Sequence, residues 1–156
     1  RIECDMIFGP AYKGITLAAA VAMRMAELGY DLPFAYNRKE VKDHGEGGVI
    51  VGKKFQDREK IAIIEDVITA GTAIRAVLPL LKSQADVDIT ALIISVDRME
   101  KGKGELSAVQ EVKNDFGIDV YSIVTIEDII DAIKNGVIPG MEYLDKMLEY
   151  RKNYGV

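Results

Sequence analysis

Three short apolar runs constrain the fold of this chain more than any other feature: Asp5–Phe8, Ile61–Ile64 and Ala91–Val96. None alternates polar with apolar residues, as a strand with one wet face would. Each is bounded by turn-forming or charged residues and is too short for a helix. All three therefore read as strands buried on both faces, the mark of a parallel sheet covered by helices. Phe34–Asn37 and Val120–Val124 read as two weaker strands.

Helical spacing fills the intervals. Leu17, Val21, Met25 and Leu28 recur at that spacing before Gly29, a natural stop. Ser107 with Gln110 has the form of a capping box ahead of Val109, Val112 and Phe116, closed by Gly117. Thr125 with Asp128 repeats the pattern before Ile126, Ile129, Ile130 and Ile133, closed by Asn135-Gly136. A last amphipathic stretch covers Met141–Tyr150, and Pro79 within Ile74–Lys82 predicts a kink or an early end. Strands alternating with helices imply right-handed crossovers and an α/β fold, an open, mostly parallel sheet flanked by helices. Ligands of such sheets bind beyond the carboxyl ends of the strands, so chemistry is expected in the loops after Phe8, Ile64 and Val96. The one long irregular segment, Arg38–Gly48, is polar and glycine-bearing and reads as a flexible functional loop.

Composition narrows the partners. A chain of 156 residues, 49% apolar and 29% charged, fits a single core domain over residues 1–156. The net charge of −5 argues against nucleic acid, whose general binders are basic. Cys4 is the only cysteine and reads as a small buried or edge residue; no internal disulfide or zinc cage is available, which favours a reducing, cytoplasmic setting. No apolar run reaches the roughly 18 residues of a membrane span, and no signal peptide is visible.

The sharpest motif is Ile61-Ala-Ile-Ile-Glu65-Asp66-Val67-Ile68-Thr69-Ala70-Gly71-Thr72-Ala73. A buried strand ends in two adjacent carboxylates, then enters a small-residue turn that opens a helix. The backbone N–H groups of Thr69–Ala73, two hydroxyls and a helix N-terminus form a nest suited to a phosphate. Glu65 and Asp66 can accept from two sugar hydroxyls or meet a magnesium ion through water. Phosphate and diol acceptors a few residues apart describe a ribose phosphate site; the plainer alternative is an acidic pair capping the next helix. Phe8-Gly-Pro-Ala-Tyr12-Lys13-Gly14 places a lysine beside a helix start, which suits a diphosphate, although a solvated first-turn lysine has the same look. The string is not a nucleotide P-loop, because Ile15 stands where a lysine is required ahead of Thr16. Arg38, Lys39, Lys42 and His44 sit in the long loop among three acids; its glycines suit a lid, and its charges alone would suit a solvated loop. Arg98, after the third strand, can grip a carboxylate with two hydrogen bonds or form a surface pair with Asp97.

These strings resemble the type I phosphoribosyltransferases, whose substrate is 5-phosphoribosyl-1-diphosphate (PRPP). EDVITAGTAI, GPAYKG and the segment RKEVKDHGEGG more narrowly resemble the orotate phosphoribosyltransferases, with Glu65 replacing the aspartate frequent at that position. The resemblance covers essentially the whole chain. It implies transfer of ribose 5-phosphate from PRPP to orotate with Mg²⁺, in pyrimidine biosynthesis, releasing diphosphate. PRPP contacts would then come from Tyr12, Lys13, Arg38, Lys39, Lys42, His44 and Glu65–Ala73. Lys13, Arg38, Lys39, Lys42, His44 and Asp66 would be the catalytic group, and Thr69 and Arg98 would hold orotate. The Mg²⁺ would be carried mainly by PRPP, with water-mediated contact to Glu65 or Asp66. A homodimer that shares its active sites is implied as well. Family members carry a further segment ahead of this first strand, so the resemblance implies a core cut or split at Arg1. A phosphoribosyltransferase for a purine or uracil would share the ribose motif without a use for Arg98. A PRPP-sensing regulatory domain would share the nest without needing the lid cations.

Overall fold

The computed structural model describes residues 2–39, 48–69 and 71–156; Lys42, His44 and Ala70 of the expected site lie outside them. The elements run β1 (Met6–Gly9), α1 (Lys13–Glu27), β2 (Phe34–Asn37), β3 (Ile50–Gly52), β4 (Lys60–Val67), α2 (Thr72–Lys82) and β5 (Asp88–Asp97). They continue with α3 (Ala108–Phe116), β6 (Val120–Thr125), α4 (Ile126–Lys134), a 3-10 turn (Met141–Tyr143) and α5 (Leu144–Tyr154). The strands form one mostly parallel sheet in the order β3-β2-β1-β4-β5-β6. β1 is parallel to both β2 and β4, while β3 returns antiparallel along β2. The described residues fall into two compact units, one of Arg1–Asp66 with Thr72–Ile93, the other of Val67–Gly71 with Ile94–Val156.

In the first unit the missing alternation of the strand runs is explained by burial on both faces. All of β1 is buried, as are Ile61, Ala62, Ile63 and Ile64 of β4, in the register Met6↔Ile61 and Phe8↔Ile63. The helix lying on them departs from the spacing expected of it. Its buried line is Gly14, Ala18 and Ala22; Leu17 and Val21 pack on the flanks, and Leu28 is 55% exposed. The reason is close approach. A Cβ on Gly9 would lie 2.1 Å from the Gly14 carbonyl oxygen, and one on Gly14 would lie 2.8 Å from the Ile64 oxygen. At that distance only glycine and alanine fit under the helix axis, and larger side chains splay to either side.

Of the two outcomes expected of Pro79, a kink or an early end, the early end does not occur: α2 runs on to Lys82. The proline removes one helical hydrogen bond and costs about 3 kcal/mol in a free helix. Ile74, Val77, Leu78 and Leu81 are all buried on the same helix, at about 1.5–3 kcal/mol each, and outweigh it. β3 carries no sequence expectation at all. Its three residues are too few to show a period, although Val49-Ile50-Val51 is β-branched throughout.

In the second unit both capping boxes form as expected. The Gln110 N–H donates to Ser107 Oγ at 3.1 Å while the Ser107 N–H donates to Gln110 Oε1 at 2.9 Å. The Asp128 N–H donates to Thr125 Oγ1 at 3.1 Å, and the Thr125 N–H returns to Asp128 Oδ2 at 2.7 Å. These bonds satisfy N–H groups that a helix start otherwise leaves unpaired. α5 extends four residues past the expected Tyr150, to Tyr154. Among the described residues, no helix is long and apolar enough to cross a membrane.

Gly14→Ala tests the close approach directly. Forcing a methyl against backbone should cost about 1–3 kcal/mol of unfolding free energy, read as a lower urea midpoint at unchanged slope. An unchanged midpoint would show that α1 can rise off the sheet without loss.

Candidate functional site

β1 stops at Gly9, and the chain turns through Pro10, Ala11 and Tyr12 into α1, whose first residue is Lys13. The Ala11–Tyr12 peptide is cis. The Ala11 N–H donates to Asn37 Oδ1 at 3.0 Å, tying this turn to the end of β2. Lys13 Nζ reaches Asp66 Oδ2 at 2.5 Å, and the two side chains are 75% and 29% exposed. Two neighbouring strand ends are thereby joined by one ion pair. Exposed pairs of this kind contribute about 0–1 kcal/mol, so an incoming anion can draw Lys13 away at little cost.

The same unit places Lys39 Nζ 4.5 Å from the centroid of the Tyr12 ring, a cation–π contact between the turn after β1 and the segment after β2. The Arg38 N–H donates to the Val49 carbonyl at 2.7 Å, so the residues flanking segment 40–47 stay together. Arg38 and Lys54 also line a cavity of about 570 Å³ with Gly48, Ile50, Phe55 and Gln84. Arg38, Lys39, Tyr12, Lys13 and Asp66 therefore all lie in the first unit, with contacts that pair Lys13 with Asp66 and Lys39 with Tyr12.

Glu65 and Asp66 are both half-buried, and Glu65 Oε1 accepts the Asp66 N–H at 3.1 Å. Burial pushes the Glu65 carboxyl above its ordinary value; the Asp66 N–H opposes the shift, the Asp66 charge adds to it, and Lys13 opposes it. The pair consists of hard oxygen donors. Among the described residues no group of three or more His, Cys, Asp or Glu could hold a metal. Two adjacent carboxylates are the donor type that Mg²⁺ takes, directly or through its own water.

The phosphate-nest residues divide between the units. Ile68 is buried, Thr69 is exposed, and Gly71 is buried at φ +65°, a conformation that favours glycine. Thr72 and Ala73, both exposed, are the first residues of α2, where the helix presents unpaired N–H groups. In the second unit Arg98 follows directly on β5. Asp97 Oδ1 accepts the Met99 N–H at 2.8 Å and fixes the bend there, with Met99 at φ +51°. Arg98 Nη2 donates to Glu100 Oε2 at 2.7 Å, so its carboxylate partner is Glu100, two residues on, where the sequence reading offered Asp97. Sequence reasoning missed Glu100 and Tyr150, whose hydroxyl donates to Glu100 Oε1 at 3.0 Å. An acid two residues from Arg98 was a usable signal for the first. A contact fifty residues distant leaves none for the second.

The Glu65 shift has a readable consequence. Its folded-state pKa lies above its unfolded one, so its contribution to stability is whole below the ordinary value of 4.5 and is lost as pH rises through the folded value. Glu65→Gln, which cannot ionise, should gain stability over the unmodified chain between about pH 4 and about pH 7, as read from urea midpoints. A gain that shrank towards pH 7 would reverse the sign of the shift.

Comparison with known proteins fits these features. Residues 1–125 match the phosphoribosyl transferase domain family. The orotate phosphoribosyltransferase of Neisseria meningitidis is 50% identical over 155 residues, covering 99% of this chain and 71% of that protein. That of Clostridium acetobutylicum is 46% identical over 160 residues, again covering 99% of this chain and 71% of the relative. The crystal structure of the Francisella tularensis orotate phosphoribosyltransferase superposes with a TM-score of 0.81 at 36% identity, covering 99% of this chain and 72% of that one. The chain belongs to the phosphoribosyltransferases, in the orotate phosphoribosyltransferase family.

Proposed function

We propose that this chain transfers ribose 5-phosphate from PRPP to the ring nitrogen of orotate, giving orotidine 5′-monophosphate and diphosphate in pyrimidine biosynthesis. The observation that carries the reading is the Lys13–Asp66 pair. It sets a cation for the leaving diphosphate against the carboxylates for the ribose hydroxyls, in a chain 46% and 50% identical to two orotate phosphoribosyltransferases.

Breaking the anomeric C–O bond builds positive charge on the ribose and negative charge on the diphosphate. Glu65 and Asp66 hold the two ribose hydroxyls and keep negative charge beside the developing cation. Residues 67–73 anchor the 5′-phosphate through backbone N–H groups and the Thr69 and Thr72 hydroxyls, which fixes the ribose for attack. Tyr12, Lys13, Arg38, Lys39, Lys42 and His44 bind the diphosphate, and the cations among them stabilise it as it leaves. Mg²⁺ on PRPP, when bound, supplies further charge neutralisation, and Glu65 or Asp66 would meet it through water. Arg98 and Thr69 hold orotate, Arg98 by its carboxylate. Residues 1–156 act as one phosphoribosyltransferase core, in a cytoplasmic homodimer whose sites are shared, with no nucleic-acid or membrane partner.

Diphosphate release that depends on both orotate and PRPP is the expected result. Release with uracil or a purine base but not orotate would overturn the assignment, and PRPP binding without turnover on any base would point to a sensor. Arg98→Ala should lower kcat/KM for orotate about thirtyfold or more, the effect of removing one partner of a charged pair, while KM for PRPP stays within about threefold. Equal losses for both substrates would make Arg98 structural. Mixed dimers of Lys42→Ala with Asp66→Ala should regain partial activity through one repaired site; verified mixed dimers without activity would exclude sharing.

A further inference from the structure

Resting on the reading of Arg98 given above, we propose that Glu100, itself held by Tyr150, is a positioning residue that sets which donors of Arg98 a substrate carboxylate meets. The argument lies within the second unit. Glu100 uses one oxygen on Arg98: Nη2 donates to Oε2 at 2.7 Å. Nε and Nη2 share one edge of a guanidinium, and a free carboxylate beside that edge would take both. Here Nε is buried and has no hydrogen-bond partner. The oxygen that would have reached it, Oε1, accepts instead from the Tyr150 hydroxyl at 3.0 Å. The Glu100 side chain is only 13% exposed, while Tyr150 is 48% exposed, so the carboxylate is sheltered and its tyrosine partner is not.

Tyr150 sits on α5, and that helix end is fastened to the same loop. The Lys101 N–H donates to the Tyr154 carbonyl at 2.9 Å, and the Val156 N–H donates to the Met99 carbonyl at 3.0 Å. Glu100 and Gly155 form an antiparallel bridge. The carboxy-terminal residues thus run along 99–101 as a short strap, with Tyr150 behind Glu100. The Tyr150 hydroxyl is pushed above its ordinary value, first by its bond to Glu100, which agrees with a donating proton.

The electrostatics explain why such a clamp is needed. A nearly buried acid beside a cation meant for a carboxylate competes with that ligand. Held by Tyr150 to a single bond, Glu100 fixes the rotation of the guanidinium and leaves Nη1 with the second Nη2 hydrogen for the ligand. Released, it can chelate the Nε edge and turn the outer donors away. Glu100 therefore acts through Arg98 and touches no substrate itself.

The test uses the full-length homodimeric enzyme with Glu100→Ala, Glu100→Gln, Tyr150→Phe, Arg98→Ala and the Arg98→Ala/Glu100→Ala double variant. Steady-state constants are measured for orotate and PRPP, and thermal midpoints are taken alongside. Glu100→Ala should raise KM for orotate about tenfold, a shift typical of losing an orienting charged hydrogen bond, with KM for PRPP within about twofold. Glu100→Gln, which keeps one acceptor oxygen, should restore most of it. Tyr150→Phe should raise KM for orotate about threefold, with an unchanged thermal midpoint because one exposed hydroxyl is lost. In the double variant the loss should equal that of Arg98→Ala alone, because Glu100 has nothing left to position. Additive losses, parallel rises for both substrates, or an unchanged orotate KM in Tyr150→Phe would overturn the proposal while leaving Arg98 as an orotate residue. If Arg98→Ala itself spared orotate use, the underlying reading of Arg98 would fall, and the proposal with it.

Discussion

The close seating of α1 on the ends of β1 and β4 is the contact on which the site depends. Gly9 and Gly14 leave no side chain between helix and sheet, and Gly14 lies under the Ile64 carbonyl, one residue before Glu65. Lys13 begins the helix beside that contact, so its ammonium arrives at Asp66 without a long reach. A helix held off by one larger residue would move the cation and the carboxylates apart together. Packing density here thus sets where the Lys13–Asp66 pair lies as well as contributing to stability.

What the sequence disclosed follows from how local each feature is. The two-face strands β1, β4 and β5 were legible because burial on both sides removes alternation, and a short window shows that. The caps at Ser107 and Thr125 were legible because donor and acceptor stand three residues apart. The buried face of α1 was not. Large apolar residues at helical spacing mark where hydrophobicity is, and the true contact line belongs to the small ones, Gly14, Ala18 and Ala22. The early end offered for Pro79 failed for the opposite reason, since a local penalty was outweighed by burial that only the folded chain supplies.

The site divides along the same line. The acidic pair and the small-residue turn were visible because they stand adjacent in sequence, and Lys13 because it opens a helix after a glycine turn. The geometry brings Lys13 to Asp66 across fifty-three residues, and nothing in composition foretells that pairing without a fold to carry it. The difference between Glu65 and Asp66 was equally hidden. Two neighbouring carboxylates read alike, yet burial raises the first while the second pairs with an ammonium.

Around Arg98 the sequence points to one partner and the fold supplies another. A strand-end arginine next to Asp97 invites the adjacent acid as its partner, but successive residues leaving a strand point to opposite sides. Asp97 turns to the Met99 N–H and bends the chain, and that bend delivers Glu100 to the guanidinium. The bend also exposes backbone at 99 and 101, which the carboxy-terminal residues take up in two hydrogen bonds. One Asx turn therefore decides both which acid meets Arg98 and which backbone groups residues 154–156 meet. The loop after β5 is thus held both by its own bonds, Gly102 N–H to the Leu106 carbonyl and Ala108 N–H to the Glu100 carbonyl, and by residues 154–156, more than fifty positions on.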